Sequence, residues 1–284
     1  MAGGYAMNLA LDNGLPEAGS VIVWLNDPLN WWGPTGLLAD TGQHIAYALI
    51  VVTLAAAVAL PTGMVIGHTG RGTLLVAGLA NALRAVPALG VLILLVVALS
   101  PHIHVQGGVP GILAPGSVPY FVPAVLVLAL IAVPQILTST YAGVQALEPA
   151  VRDAARGCGM TSLQIVLKVE LPTAAPLIIS GIRSATLQVI ATLTVAAYAP
   201  LVGGLGRLII DGQQDLADPR YGYPAMLAAG ITVAVLAIAT DALLALAQRK
   251  ATSPGLTPAN THGTKRPRLH RGPARVHSDS KELT

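Results

Sequence analysis

The residues best suited to chemistry concentrate in one segment, 138–170. Its charged side chains occur in a composition typical of helix rather than coil: Glu148, Arg152, Asp153, Arg156, Lys168 and Glu170. Ala154 and Ala155 are small and favour helix, so another surface could approach them closely. Arg152, Asp153 and Arg156 offer charges that would fix the register of such a contact. The pattern indicates a docking helix.

The predicted docking helix is followed by Gly157 and Gly159, and glycine readily adopts the positive φ that ends helices. Leu171 and Pro172 then open a long apolar run. We therefore expect a short rigid helix that ends at these glycines and a membrane span that starts at Pro172. For each residue taken alone, an ordinary solvated helix between two spans is the alternative.

Charged residues also fall inside or beside apolar runs, where they need a partner or water. Arg183 is interpreted as reaching the cytoplasmic edge, with an ion pair or gate contact inside the bundle as the alternative. For Asp241, placement at the interface near Arg249 is favoured over pairing with another helix. Arg84 lies beside Pro87 at a predicted helix break, which must line a cavity or be covered by protein. Arg84, Pro87 and Arg183 are the candidate pathway or gate residues.

Other kinds of site are not indicated. A single cysteine, Cys158, excludes an intrachain disulfide framework. His102 and His104 stand two apart in a stretch rich in Pro and Gly, and we interpret them as loop residues rather than metal ligands. No metal site is expected. The few charges within apolar runs do not supply the converging groups that a membrane-embedded enzyme would need.

The elements that must position these residues are membrane helices. Of the 284 residues, 54% are apolar and only 10% are Asp, Glu, Lys or Arg, with a mean hydropathy of +0.67. Soluble domains carry about 25% charge. The apolar runs are about twice the roughly ten residues of a barrel strand and do not alternate, so the spans must be helices. The expected fold class is all-α, a polytopic transmembrane helical bundle of five to six spans.

The apolar runs predict crossings at 44–67, 73–100, 119–137, 173–200 and 223–247. The second run is too long for one straight helix. Either two pieces meet near Val86 and Pro87, which would give a sixth element, or one tilted helix crosses. Three parts result: an extracytoplasmic segment 1–43, a bundle 44–247 that includes the segment of about 140–172, and a basic, disordered tail 248–284.

The distribution of Lys and Arg predicts the orientation, because both accumulate on the cytoplasmic side. None occurs in the first 70 residues or between 101 and 118. Arg71, Arg152 and the tail from Arg249 fall on the opposite side when five crossings are counted. We therefore expect the N-terminus outside and the C-terminus in the cytoplasm of an inner (plasma) membrane protein. The outer loop with Arg207 and Arg220 is the exception.

Residues 153–172 read DAARGCGMTSLQIVLKVELP. This resembles the signature of binding-protein-dependent ABC transporter permeases, E-A-A, three residues, Gly, nine residues, Ile, one residue, Leu-Pro. Asp153 stands where the signature has glutamate, and Val169 stands where it has isoleucine. The residues that match the signature are Ala154, Ala155, Gly159, Leu171 and Pro172. The resemblance implies a type I ABC importer permease fold. It also implies that this cytoplasmic loop docks on an ATP-hydrolysing subunit and transmits its movement.

Further stretches are similar to permeases for osmoprotectants with a quaternary ammonium group: glycine betaine, choline, carnitine or proline betaine. They read WLNDPLNWWGPTG at 24–36, NALRAVPALGVLILL at 81–95, GIRSATLQVIATLTVAAYA at 181–199 and GGLGRLIIDG at 203–212. The resemblance covers roughly 24–247. A permease for another small solute such as an amino acid, and a carrier that needs no ATPase, are the alternatives.

The resemblance implies several partners. The sequence has no G-x-x-x-x-G-K-[ST] run, so ATP and magnesium are expected on a partner ATPase and no cofactor on this chain. An extracytoplasmic solute-binding protein and a second permease subunit, identical or related, complete the implied complex within the lipid. Lys265, Arg266 and Arg268 of the tail are expected to meet anionic lipid or solvent, and nucleic acid is not an expected partner.

Overall fold

The computed structural model describes residues 18–216, 218 and 220–251. Residues 1–17 of the predicted outer segment and 252–284 of the predicted tail lie outside the described residues. The helices are α1 (Ala18–Leu25), α2 (Leu37–Thr69), α3 (Thr73–Ala85), α4 (Ala88–Leu99), α5 (Val118–Gln145), α6 (Pro149–Gly157), α7 (Ser162–Ile165), α8 (Leu171–Ala196), α9 (Leu205–Gln214) and α10 (Gly222–Ala251). A π-helical turn, Val166–Glu170, joins α7 to α8. The all-α class is confirmed.

The structure contains four or five candidate crossings. Four helical stretches are individually long and apolar enough: Leu37–Thr69, Val118–Gln145, Ser162–Ala196 and Gly222–Lys250. Thr73–Leu83 and Ala88–His102 meet at 87° and form either a broken span, which is the fifth crossing, or a re-entrant loop. The break at Val86 and Pro87 is therefore confirmed, and a single tilted helix is excluded. Within the described part of the chain, five is also the largest number of crossings.

Pro87 explains the break between α3 and α4. Proline has no backbone N–H to donate and disfavours helical backbone in the residue before it. Val86 is accordingly extended, with φ −74° and ψ 127°, and Pro87 is also extended before α4 begins at Ala88. The sequence thus dictates both the position and the cause of the bend.

α5 continues eight residues beyond the predicted end of its span at residue 137, to Gln145. The helix can continue through polar residues because a threonine hydroxyl can donate to the backbone carbonyl one turn earlier. Thr138 donates to the carbonyl of Pro134, and the buried Thr140 donates to that of Ile136. The segment of about 140–172 therefore comprises the end of α5, α6, α7, the π turn and the first two residues of α8.

α5 lies between α2 and α8, and glycines allow close contact with both. A Cβ on Gly63 of α2 would lie 2.7 Å from the Cβ of Thr140, and one on Gly67 would lie 2.6 Å from the Cβ of Val144. A Cβ on Gly181 of α8 would overlap Ser139. Small residues at such interfaces let membrane helices pack backbone to backbone. These three helices form the centre of the bundle.

The short helices α1 and α9 pack around the beginning of α10. Trp24 of α1 is 5% exposed and shares an apolar cluster with Leu37, Leu205 and Ala225. Trp32, by contrast, is 72% exposed. Trp24 is thus a packing residue that ties the N-terminal helix to the bundle.

Candidate functional site

α6 ends as the glycine pattern predicts, with one correction. Gly159 has φ +79°, and its N–H bonds to the carbonyl of Arg156 at 2.9 Å, while the N–H of Met160 reaches that of Ala155 at 3.2 Å. Gly157 is instead the last residue of the helix and has no positive φ. The turn therefore depends on Gly159 alone.

α7 starts with a capping box that the sequence interpretation missed. The side chain of Thr161 accepts from the N–H of Gln164, and the side chain of Gln164 accepts from the N–H of Thr161. The signal was present, since Thr followed three residues later by Gln is the capping-box pattern. The glycine turn and this cap fix the direction in which the chain leaves α6.

One side of α6 and α7 is open to a partner. Asp153 and Arg156 form an ion pair of 3.1 Å, and their side chains are 70% and 59% exposed. Exposed apolar side chains lie around them. We call this surface the docking face: Val151, Asp153, Ala154, Arg156, Leu163 and Leu167. Ala155, which the sequence had placed with Ala154, is only 9% exposed.

Arg152 turns away from the docking face. Its Nε donates to Oε1 of Glu170 at 2.7 Å, and its Nη2 donates to the carbonyl of Val144 at 2.5 Å. Its Nη1 also reaches the carbonyl of Leu147 at 3.4 Å. The arginine therefore fastens α6 to the end of α5 and to the π turn, instead of offering its charge to another protein.

Glu170 is fully buried and has a second partner. Nδ1 of His68, close to the end of α2, lies 3.0 Å from both carboxylate oxygens, so the imidazole donates and the carboxylate accepts. A buried carboxylate requires such pairing. We call His68, Arg152 and Glu170 the Glu170 junction. It joins α2, α6 and the π turn that continues into α8.

Arg183 and Asp241 bind each other. Nε of Arg183 lies 2.5 Å from one carboxylate oxygen of Asp241, and Nη2 lies 2.6 Å from the other. This bidentate pair joins α8 to α10. The pairing with another helix, which was the alternative for each residue, is therefore present, and about one third of each side chain remains exposed. The depth of the pair in the membrane stays a prediction.

The helix break lines a cleft of about 260 Å³. Leu83, Val86 and Ala88 come from the broken span, and the other lining residues are Ile131 and Gln135 of α5 and Gln188 and Thr192 of α8. The residues on either side of Pro87, Val86 and Ala88, therefore line a cavity, as predicted for irregular backbone within a membrane. Arg183 does not line this cleft, and the side chain of Arg84 lies outside the described residues.

The bundle of four long membrane helices, a bent helix pair and an exposed helical loop has the type I ABC importer permease fold. A chain of the inward-facing MetNI methionine ABC transporter superposes with a TM-score of 0.61 at 18% identity, covering 76% of this chain and 96% of that one. A second crystal form of the same transporter gives a TM-score of 0.59 at 19% identity, covering 74% and 94%.

The chain belongs to the family of binding-protein-dependent transport system inner membrane components, whose family model matches residues 59–253. It is 33% identical to the choline transport system permease protein OpuBB of Bacillus subtilis, over 78% of this chain and 90% of that protein. It is 32% identical to the glycine betaine/carnitine/choline permease OpuCB of the same species, with the same coverage. The osmoprotectant import permease OsmW of Salmonella typhimurium is 32% identical over 74% of this chain and 89% of that protein.

Proposed function

We propose that this chain is the membrane-spanning subunit of an ATP-driven importer for osmoprotectants with a quaternary ammonium group, such as glycine betaine, choline, carnitine or proline betaine. Family membership supports the importer class. The names of the relatives, which are choline, glycine betaine, carnitine and osmoprotectant permeases, support the solute class. The chain itself performs transport, and a partner subunit hydrolyses ATP bound with magnesium.

The observation that carries this proposal is the two-sided geometry of α6. Asp153, Ala154 and Arg156 are exposed to a partner, whereas Arg152 on the other side is bonded to the buried Glu170. A partner ATPase that moves the docking face would therefore move the Glu170 junction as well. Because the junction contacts α2 and α8, that movement would reach the membrane helices and favour one access state over the other.

The remaining partners follow from the same proposal. A solute-binding protein delivers solute on the side opposite α6, and a second permease subunit, identical or related, shares the pathway. The N-terminus is outside and the C-terminus is in the cytoplasm of the inner membrane, as the positive-inside rule indicates. Lipid covers the outward-facing apolar side chains of α2 and α10, such as Leu54 and Ile238, which are 49% and 70% exposed.

The test is uptake of labelled glycine betaine and choline into vesicles that contain the chain, its ATPase and its binding protein. We expect uptake that requires ATP and is lost with Ala154→Trp, because the added ring would hold the ATPase away from the docking face. Ile238→Trp is the matched control, since Ile238 is 70% exposed on the side of α10 that lipid covers. Undiminished uptake without the ATPase would refute an ATP-driven importer. If neither amine is taken up in the presence of ATP, the proposed solute class is refuted.

A further inference from the structure

The cleft at the helix break has polar side chains within the membrane-spanning part of the chain. Gln135 belongs to α5, and Gln188 and Thr192 belong to α8. The side-chain amide of Gln188 donates to Thr192 at 3.1 Å, and the Thr192 hydroxyl donates to the backbone carbonyl of Gln188 at 2.7 Å. Among the described residues, the side chain of Gln135 makes no hydrogen bond. Two residues with side-chain amides therefore line the cleft, and among the described residues their amide oxygens accept no hydrogen bond.

Hydrocarbon cannot satisfy these amides. An amide without a hydrogen bond in an apolar medium costs roughly 2–7 kcal/mol. Polar groups inside the membrane accordingly face water or another protein and mark solute pathways. A volume of about 260 Å³ has room for several water molecules. The cleft is therefore suited to hold water, a polar solute or a polar surface of the second permease subunit.

The polar surface continues along α8. Ser184 is exposed one turn before Gln188, and Ser180 is exposed one turn before Ser184. A spacing of four residues puts side chains on the same face of a helix, so these hydroxyls continue the exposed polar face of α8 beyond the cleft. The face is neutral throughout. A solute could therefore bind weakly at successive positions and still leave, as conduction requires.

The N-terminal end of α4 also borders the cleft, and its partial charge is opposite in sign to that of the amide oxygens. Ala88, the first residue of α4, lines the cleft. The first N–H groups of a helix have no acceptor within the helix, and that end carries a partial positive charge that favours anions. Broken membrane helices are known to present such ends to anionic groups of solutes.

We propose that this cleft holds the transported solute on its way across the membrane, an inference that rests on the proposed function. The ligand is a small solute with a methylated ammonium group; glycine betaine and carnitine add a carboxylate, which choline lacks. The ammonium lies against the amide oxygens of Gln135 and Gln188, and the carboxylate lies at the beginning of α4. Gln135, Gln188 and Ser184 are then residues that determine which solute passes.

The first test uses cysteine accessibility, which the chain suits because Cys158 is its only cysteine. In a Cys158→Ser background, Ser184→Cys and Gln188→Cys are compared with Ile238→Cys, an outward-facing position of α10 that is 70% exposed. The probe is a membrane-impermeant trimethylammonium thiosulfonate, applied to vesicles that contain the whole complex. We expect both cleft cysteines to react at least tenfold faster than Ile238→Cys. Excess glycine betaine should slow the reaction severalfold.

Two results would overturn the proposal. One is reaction of Ser184→Cys and Gln188→Cys no faster than that of Ile238→Cys. The other is fast reaction that excess glycine betaine does not slow, which would mean that the cleft holds water only. Failure of the proposed function has a different signature, namely loss of ATP-dependent uptake in the Cys158→Ser complex itself.

A second variant keeps the proposal testable if a cysteine disturbs folding. Gln135→Glu adds a negative charge to the cleft, so uptake should shift at least fivefold toward choline, a net cation, relative to glycine betaine, which is neutral overall. Gln213→Glu is the control, since Gln213 lies on α9 and bonds to the exposed Tyr198. An unchanged choline to glycine betaine ratio in Gln135→Glu would contradict a solute contact at Gln135.

Discussion

The guanidinium of Arg152 and the carboxylate of Glu170 lie 2.7 Å apart, although eighteen residues separate them in the chain. The glutamate is completely buried and the arginine side chain is 16% exposed, so solvent screens the pair little. His68 completes the arrangement from α2. A helix that is exposed on one side is thus fixed to the bundle by charge on the other.

We predict that Glu170→Gln uncouples ATP hydrolysis from transport. Removing one partner of a buried ion pair costs about 3–5 kcal/mol, because the other charge stays buried and unpaired. Arg152 would lose its charged link to the π turn and keep only its bonds to the carbonyls of Val144 and Leu147, so α6 could move without moving α2 and α8. In reconstituted complexes, the number of solutes imported per ATP hydrolysed should fall at least tenfold.

Two controls accompany Glu170→Gln. Asp211→Asn removes a partly exposed ion pair with Arg207 on α9, whose contribution to stability should be about 0–1 kcal/mol, and it should leave the ratio unchanged. Glu170→Asp keeps the charge and should restore part of the ratio. Equal loss of ATPase activity and uptake in Glu170→Gln would argue against a positioning role.

We predict that Gly159→Ala weakens binding of the ATPase subunit, whereas Gly157→Ala does not. Neither added methyl group meets an atom within 4 Å, so only the backbone distinguishes the two sites. At φ +79° a residue with a Cβ is strained by about 1–2 kcal/mol, but Gly157 is helical, and alanine favours helix there. Titration of the ATPase against the chain in nanodiscs should show a fivefold or greater loss of affinity for Gly159→Ala only. Equal affinities would show that the turn tolerates any residue.

We predict that Arg183 and Asp241 stabilise the bundle as a pair. Asp241→Ala and Arg183→Ala should each lower the thermal midpoint in detergent, since each leaves an unpaired charge within a span. The exchanged variant, Arg183→Asp with Asp241→Arg, should recover part of the loss. A double variant less stable than either single one would indicate that the two side chains do not act on each other.

We predict that Cys158 reports the side of the membrane on which α6 lies. It is exposed next to the glycine turn, and it is the only cysteine of the chain. An impermeant maleimide should label it in inside-out vesicles and not in right-side-out vesicles. A cysteine introduced at Val105, in a Cys158→Ser background, should show the reverse. Labelling of Cys158 from the outside would invert the proposed topology.

Local patterns in the sequence predicted much of the fold. The apolar runs predicted the four long membrane helices, and Pro87 predicted the position of the break, because both depend on residues close together in the chain. Span ends were less predictable, since Thr138 and Thr140 are polar but bond to their own helix. Thr161 and Gln164 carried a local signal for the start of α7, but the π turn that joins α7 to α8 had none.

The charged pairs could not be predicted because they join residues that are distant in sequence. Arg183 and Asp241 were both recognised as unusual, yet nothing in the sequence indicates that α8 meets α10 at that depth. The same holds for Glu170, which looked like one charge among several in a polar loop. Its neighbours His68 and Arg152 become evident only when α2, α5 and α6 are packed together.

The close packing of α2 on α5 has a mechanical consequence. Gly63 and Gly67 leave no room for even a methyl group against Thr140 and Val144, so the two helices are in direct contact along this stretch. We expect them to move together when the protein changes shape. The change would then fall on the joints around them, which are the bend at Pro87 and the π turn ahead of α8.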